Sequence, residues 1–269
     1  MRRPTLRLLL VAVLAASATA RAQPPASVFL EDLTSPELAA AIRAGKTTIL
    51  VPIGGTEQNG PHMVLGKHNV RAKVLSGKIA RALGDALVAP VIAYVPEGSV
   101  NPPTGHMRYP GTITVPAAVY RKVLDSAARS FRLAGFRDIV FLGDHGDYQK
   151  DNEIVARQLD REWASTPVRV YAIVEYYRAA TDGFAKNLKA RGYGEAEIGL
   201  HAGLADTSLA LAVDPGLVRP EQQQSPPGTS ALSGVSGDPR RATAELGKPG
   251  IDAIVTQSVA AIRAAVAHR

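Results

Sequence analysis

Four short apolar runs, separated by segments of helical pattern and marked off by glycines, most constrain what this chain can become. Thr47 to Ile53, Leu87 to Tyr94, Asp138 to Leu142 and Val168 to Tyr176 are rich in Val, Ile and Leu, the composition of strands buried on both faces. Leu33 to Ala44, Asn69 to Leu83, Val115 to Ala134, about Asn152 to Trp163, Ala202 to Val213 and Gly250 to Ala267 read as helices. Thr34 or Ser35 can cap the first helix, Pro36 sits in its first turn, and Gly45, Gly84 and Gly135 end the first three. Strands alternating with helices through short turns predict an α/β protein, a three-layer α/β/α sandwich with a mainly parallel sheet.

With 269 residues the chain can bury a substantial core, and a 46% hydrophobic, 20% charged composition is that of a globular protein. Its start has the form of an export signal. Arg2, Arg3 and Arg7 precede the apolar stretch Leu8 to Ala18, and Ala20-Arg21-Ala22 offers a small-x-small cleavage site, with Ala18-Thr19-Ala20 as a rival. A retained membrane anchor is the alternative, but the apolar part is short for a stable span. The expected organisation is a signal peptide over residues 1–22 and one domain over 23–269, periplasmic or secreted. Removing Arg2, Arg3, Arg7 and Arg21 lowers the formal charge from +7 to +3, too mild to argue for nucleic acid. No later segment reads as transmembrane, so no membrane association is expected after cleavage. The absence of cysteine excludes disulfides, thiolate ligands and a cysteine nucleophile.

Two stretches read as long loops: Pro96 to Pro116, dense in Pro and Gly, and Pro220 to Gly250, expected to be an exposed excursion. A loop of about 20 residues without regular structure is uncommon unless it serves function. Five of the six histidines, His62, His68, His106, His145 and His201, lie in glycine-flanked, loop-like stretches. His106 is expected to line a substrate mouth, and His62 to stabilise its turn. Glu57-Gln58-Asn59 follows the first strand, and His145-Gly146-Asp147 follows the third. Alternate residues of an extended segment point the same way, so neighbouring parallel strands would bring Glu57, Asn59, His145 and Asp147 together, with His68 in reach. Oxygen and imidazole donors without thiolate suit Zn²⁺, Mn²⁺ or Ni²⁺.

These motifs resemble the creatininase (creatinine amidohydrolase) family over nearly all of the chain past residue 22. The family's Gly-x-x-Glu-Gln-His-Gly-Pro-His-Leu-Pro-Leu-Gly-Thr-Asp run is matched by Gly54 to His68. Its Phe-Pro-Gly-Thr loop looks like Tyr109-Pro110-Gly111-Thr112, and its Asn-Gly-His-Gly-Gly-Asn turn like Gly143 to Tyr148. Its His-Ala-Gly-x-x-Glu-Thr-Ser segment looks like His201 to Ser208. The resemblance implies a creatininase-like fold and a dinuclear metal site that hydrolyses a C–N bond of a cyclic amide. It places Glu57, His68, His145 and Asp147 at metal-binding positions, His201 at a catalytic one, and implies a homo-oligomer, a hexamer. Asn59 stands where the family has a metal-binding His, and His68 where it has the Asp that bridges two metals. One carboxylate fewer leaves two dications poorly neutralised. The expectation is one tightly bound Zn or Mn ion, or one strong and one weak site.

The expected function is metal-dependent amide hydrolysis of a small molecule by an activated water. Asp147 would take the water's proton, and His201 would stabilise the oxyanion or protonate the departing nitrogen. Asp206 would orient His201 or cap the following helix, while His106, Tyr109 and Asn59 would face the substrate. A non-catalytic metal- or ligand-binding protein on the same fold is the alternative, alongside peptide-trimming or deformylating hydrolysis.

Overall fold

β1 (Thr48–Ile53) is buried at every residue, as a strand covered on both faces must be. The computed structural model describes residues 27–224 and 233–268; the expected export segment lies outside them. Around β1 the chain runs α1 (Ser35–Arg43), α2 (Lys67–Leu83), β2 (Ala86–Val88), α3 (Ala117–Ala134), β3 (Asp138–Gly143), α4 (Gln149–Glu162) and β4 (Arg169–Ala172). Then follow α5 (Val174–Arg178), α6 (Phe184–Ala190), α7 (Glu195–Ile198), α8 (Leu204–Val213), α9 (Pro220–Gln223) and α10 (Ala244–Ala267). The sheet is parallel throughout, in the order β2-β1-β3-β4.

Alternation along the strands builds two cores. Leu50, Val140 and Leu142 face one side and pack with Leu75, Phe184, Leu209, Ile254 and other residues from α2, α6, α8 and α10. Ile49, Val51, Ile53, Ile139 and Phe141 face the other and meet Ala41, Leu124, Leu159 and Trp163 from the α1, α3 and α4 layer. The result is the expected three-layer α/β/α sandwich. Because β1 leads to β2 on one side while β3 lies on the other, the β1/β3 junction is the topological switch point. Ligands of open α/β sheets bind at that place, beyond the carboxyl ends of the strands. β1 and β3 end level, Ile53 opposite Gly143, so the segments leaving them share one rim.

Several elements differ from expectation. β2 stops at Val88 and only Ile92 returns to bridge Ile53, because Pro90 has no N–H for the ladder. β4 ends at Ala172 and the chain turns into α5. Pro220 to Gly250 is not a simple exposed excursion: Ser236 pairs with His201, Gln223 is buried, and α10 begins at Ala244. The rest of that stretch, residues 225–232, lies outside the described residues. The last helix, expected from Gly250, begins instead at Ala244, so Pro249 and Gly250 sit inside α10. A side chain at Gly247 would strike the Ser208 backbone, and one at Gly250 would strike Leu209 and Phe184, so both glycines let α10 press on its neighbours. By length and composition α10 could cross a membrane; in the fold Ile251, Ile254 and Ile262 are buried.

Candidate metal centre

The site begins where β1 runs out. At Gly54 a side chain would collide with Asn69 of α2, and Gly55 adopts φ +152°, a conformation open to glycine, with the Glu97 carboxylate against it. Asn69 Oδ1 accepts the Gly55 N–H (3.0 Å), fixing the strand end to α2. The buried Tyr148 hydroxyl joins the two strand ends. It accepts from the N–H groups of Asp144 (3.1 Å) and His145 (3.0 Å) and lies 2.9 and 2.6 Å from the Ile53 and Gly54 carbonyls.

Glu57 is fully buried, and four imidazoles converge on it. Oε1 lies 2.8 Å from His68 Nε2 and 3.8 Å from His201 Nδ1. Oε2 lies 3.3 Å from His106 Nε2 and 3.6 Å from His145 Nε2, and has no hydrogen-bond partner. Burial works to raise the Glu57 pKa, but the His68 hydrogen bond, and behind it the Lys67 ammonium, hold it far below the usual carboxylate range. Burial pulls the His145 and His201 imidazoles down to about 4, which keeps them neutral with a lone pair to offer. An ionised Glu57 carboxylate beside the neutral imidazoles of His145 and His201 is a donor set that fits zinc or manganese. Ligand atoms of Glu57, His68 and His145 fall within 4.8 Å of one another, as do those of Glu57, His106 and His201, and those of Glu97, His145 and Asp147.

Gln58 orders two of these rings. Its amide nitrogen can give one hydrogen to His106 Nδ1 (2.8 Å) and the other to the Gly234 carbonyl (3.1 Å). His201 Nε2 then donates to the Gln58 carbonyl (2.9 Å), which leaves Nδ1 facing Glu57. Antiparallel bonds to Ser236 fix the His201 backbone, and the next residue, Ala202, takes a left-handed φ of 55°.

Beneath the imidazoles lies a buried ionic layer. His68 Nδ1 is 2.6 Å from Asp144 Oδ2, Arg71 Nε donates to both Asp144 oxygens, and the Tyr176 hydroxyl donates to Oδ1 (2.8 Å). Arg71 Nη1 reaches Asp206 (2.9 Å), which also pairs with Lys67. Burial pushes both carboxylates up; Arg71 holds Asp144 low, while Lys67 and Arg71 hold Asp206 well below its ordinary value. Lys67, His68 and Arg71 meet these acids from one face of α2, as spacings of three and four residues allow.

The structure brings together Glu57, His68, His106, His145 and His201, and sets exposed Asp147 beside His145 on the rim. Two expected roles change. The Asn59 amide donates to the Glu57 and Val64 carbonyls (2.9 and 3.3 Å), so its NH₂ group holds the turn and is not free for substrate. The hydrogen-bond partners of Asp206 are Lys67, Arg71 and the Ala202 N–H (3.1 Å) rather than His201, and Gly203 is the cap of α8. Tyr109 is half-buried and closes the loop by donating its N–H to the His106 carbonyl (3.0 Å). His62 is buried against Thr207 Oγ1 (2.9 Å), and burial lowers its pKa to about 4.

Sequence reasoning missed Glu97, Asp144, Lys67 and Arg71. Asp144 carried a signal, since it alternates with His145 at a strand end and so points to the other side. Glu97, only 1% exposed, carried none beyond its place in the Pro96 to Pro116 loop. Burial, and then the charges of Glu57 and Asp147, raise its pKa to about 9. A 680 Å³ cavity opens on this cluster, lined by His68, Asp144, His145, Tyr177, His201 and Asp206 among others.

Known proteins share both sequence and shape with this chain. The family model described as creatinine amidohydrolase matches residues 31–262. A creatinine amidohydrolase of Pseudomonas putida is 26% identical over 198 residues, spanning 71% of this chain and 74% of the relative. A mycofactocin precursor peptide peptidase of Mycolicibacterium smegmatis is 35% identical over 103 residues, 36% of this chain and 39% of that protein. A solved mutant creatininase superposes with a TM-score of 0.73 at 24% identity, covering 89% of this chain and 99% of its own. Sequence motifs, sheet topology and the match over residues 31–262 agree: the chain belongs to the creatininase family.

Proposed function

We propose that this protein is a metal-dependent amidohydrolase that cleaves the C–N bond of a small amide, cyclic amides included. One observation carries the reading: a buried, ionised Glu57 with four imidazoles turned towards it at a strand-end switch point. Glu57, His68, His145 and Asp147 form the set that would hold a divalent cation, with His68 acting directly or through its hydrogen bond to Glu57. Solved creatininases include a Zn–Zn type and a manganese form, and either metal suits these donors. Bound there, the ion would supply Lewis acidity, lowering the pKa of a water towards about 7 and polarising the substrate carbonyl. Asp147, on the exposed rim, is the group that would accept a proton from the attacking water. His201, whose unprotonated Nδ1 faces the cluster, would take up the proton released by the water there and pass it to the departing nitrogen. His106 and Tyr109 border the mouth.

Elemental analysis of the purified protein, followed by a screen of cyclic, formyl and peptide amides, tests the reading. Bound metal with no turnover of any amide would favour a non-catalytic binding protein. A peptide-trimming activity is the second reading, supported by the 680 Å³ cavity and the local 35% identity to the peptide peptidase. We further propose export with cleavage after Ala22, read as an intact mass beginning at Gln23. A homo-oligomer, hexameric by family resemblance, is the proposed assembly, to be measured by light scattering.

A further inference from the structure

We propose that Glu97 is a ligand of the cation held at His145, and that His68 positions Glu57 instead of binding the ion itself. The inference deepens the metal-dependent reading above and rests on it. Three buried carboxylate oxygens at the cluster have no hydrogen-bond partner: Glu57 Oε2 and both oxygens of Glu97. An unpartnered buried polar group is costly and marks a place where an ion belongs. These oxygens flank one nitrogen. His145 Nε2 is 3.6 Å from Glu57 Oε2 and 3.9 Å from Glu97 Oε2, so a cation on that lone pair meets both acids. Asp147 completes the set, since its carboxylate groups with those of Glu97 and the His145 ring within 4.8 Å.

His68 shows the opposite condition. Its two nitrogens are engaged, Nδ1 by Asp144 at 2.6 Å and Nε2 by Glu57 Oε1 at 2.8 Å. Asp144 is fixed in turn by Arg71 and Tyr176. The chain Asp144–His68–Glu57 therefore orients one oxygen of Glu57 and leaves the other to the ion, the part played by outer-shell partners in metal sites. The backbone also makes room for Glu97. A side chain on Gly55 would stand 2.7 Å from Glu97 Oε1, so the carboxylate fits over a glycine. Asp144 and Asp206 are answered by Arg71 and Lys67, which leaves Glu57, Glu97 and Asp147 as the acids free to neutralise a dication.

Titration calorimetry with Mn²⁺ and Zn²⁺ on the metal-stripped protein, its Glu57→Gln, Glu97→Gln and His68→Gln variants, separates the roles. Circular dichroism confirms folding of each variant, and Gln preserves the shape of Glu. Loss of a ligand should weaken binding by more than about 100-fold in Glu57→Gln and Glu97→Gln, whereas loss of an outer-shell partner in His68→Gln should cost about 10–100-fold. With Co²⁺ bound, Glu97→Gln should shift the visible absorption band, and His68→Gln should leave it nearly in place. Wild-type affinity in Glu97→Gln, with binding lost in Glu57→Gln, overturns the assignment of Glu97 and leaves the metal reading standing. A larger loss in His68→Gln than in Glu97→Gln overturns it as well. No metal bound by the wild type would instead remove the metal-dependent reading itself.

Discussion

Glu97 and Asp144 are both buried acids, and their surroundings give them opposite effects on stability. Asp144 is answered by Arg71, His68 and Tyr176, so Asp144→Asn leaves Arg71 with Asp206 as its remaining carboxylate and should cost about 1–3 kcal/mol in urea unfolding. Glu97 is unanswered in the metal-free protein. Its pKa is about 9 folded and near 4.5 in the open chain, so between those values the folded state binds more protons than the unfolded. Stability of the metal-stripped protein should therefore fall as pH rises from about 4.5 to 9, and Glu97→Gln should remove that fall. Near pH 8 the variant should be more stable than wild type, because a neutral amide needs no proton taken up on folding. An unchanged or steeper pH dependence in the variant would remove this account. Glu57, His68, His145 and Asp147 were legible because motif and strand-end position coincide. Glu97 was not, because nothing local in Pro96-Glu97-Gly98 announces that the fold will lay it over Gly55.

At the level of elements, the Tyr148 hydroxyl is the joint between the ends of β1 and β3, and therefore between the two halves of the centre. Tyr148→Phe keeps the ring and the direct bond from the Asp144 N–H to the Ile53 carbonyl (3.0 Å), but leaves the His145 N–H and the Gly54 carbonyl without their partner. Unfolding measurements should show a loss of about 1–3 kcal/mol, and metal affinity should fall as His145 loosens relative to Glu57. Unaltered affinity in a destabilised variant would mean that the loops, not this joint, set the geometry. The sandwich itself was readable because apolar periodicity, glycine stops and the Thr34–Glu37 capping box agree locally. Where element bounds differ from expectation, a missing N–H or a tertiary contact decided. Pro90 shortens β2 as its missing N–H requires, while Gly247 and Gly250, within the expected excursion, mark close packing of α10 on its neighbours.

Across the whole molecule, the groups of the centre come from stretches around residues 57, 97, 106, 145 and 201, and no pair of them shares an element. Such a site exists only when the sheet, the Glu97 loop and the segment pairing His201 with Ser236 are all in place. Metal binding is then coupled to global folding, because the unfolded chain cannot gather these ligands. With free metal about 100-fold above its Kd, the folded state gains about 2.7 kcal/mol. For a domain of this size each kcal/mol moves the midpoint by about 2–4 °C, so metal should raise Tm by roughly 5–10 °C over the chelated protein. His145→Ala should abolish the difference by removing the nitrogen that Glu57 and Glu97 share, without lowering the chelated midpoint to the same extent. Calorimetric scans of both proteins, with EDTA and with Mn²⁺, measure this directly. An equal metal-induced rise in His145→Ala would place the bound ion away from the β1/β3 rim.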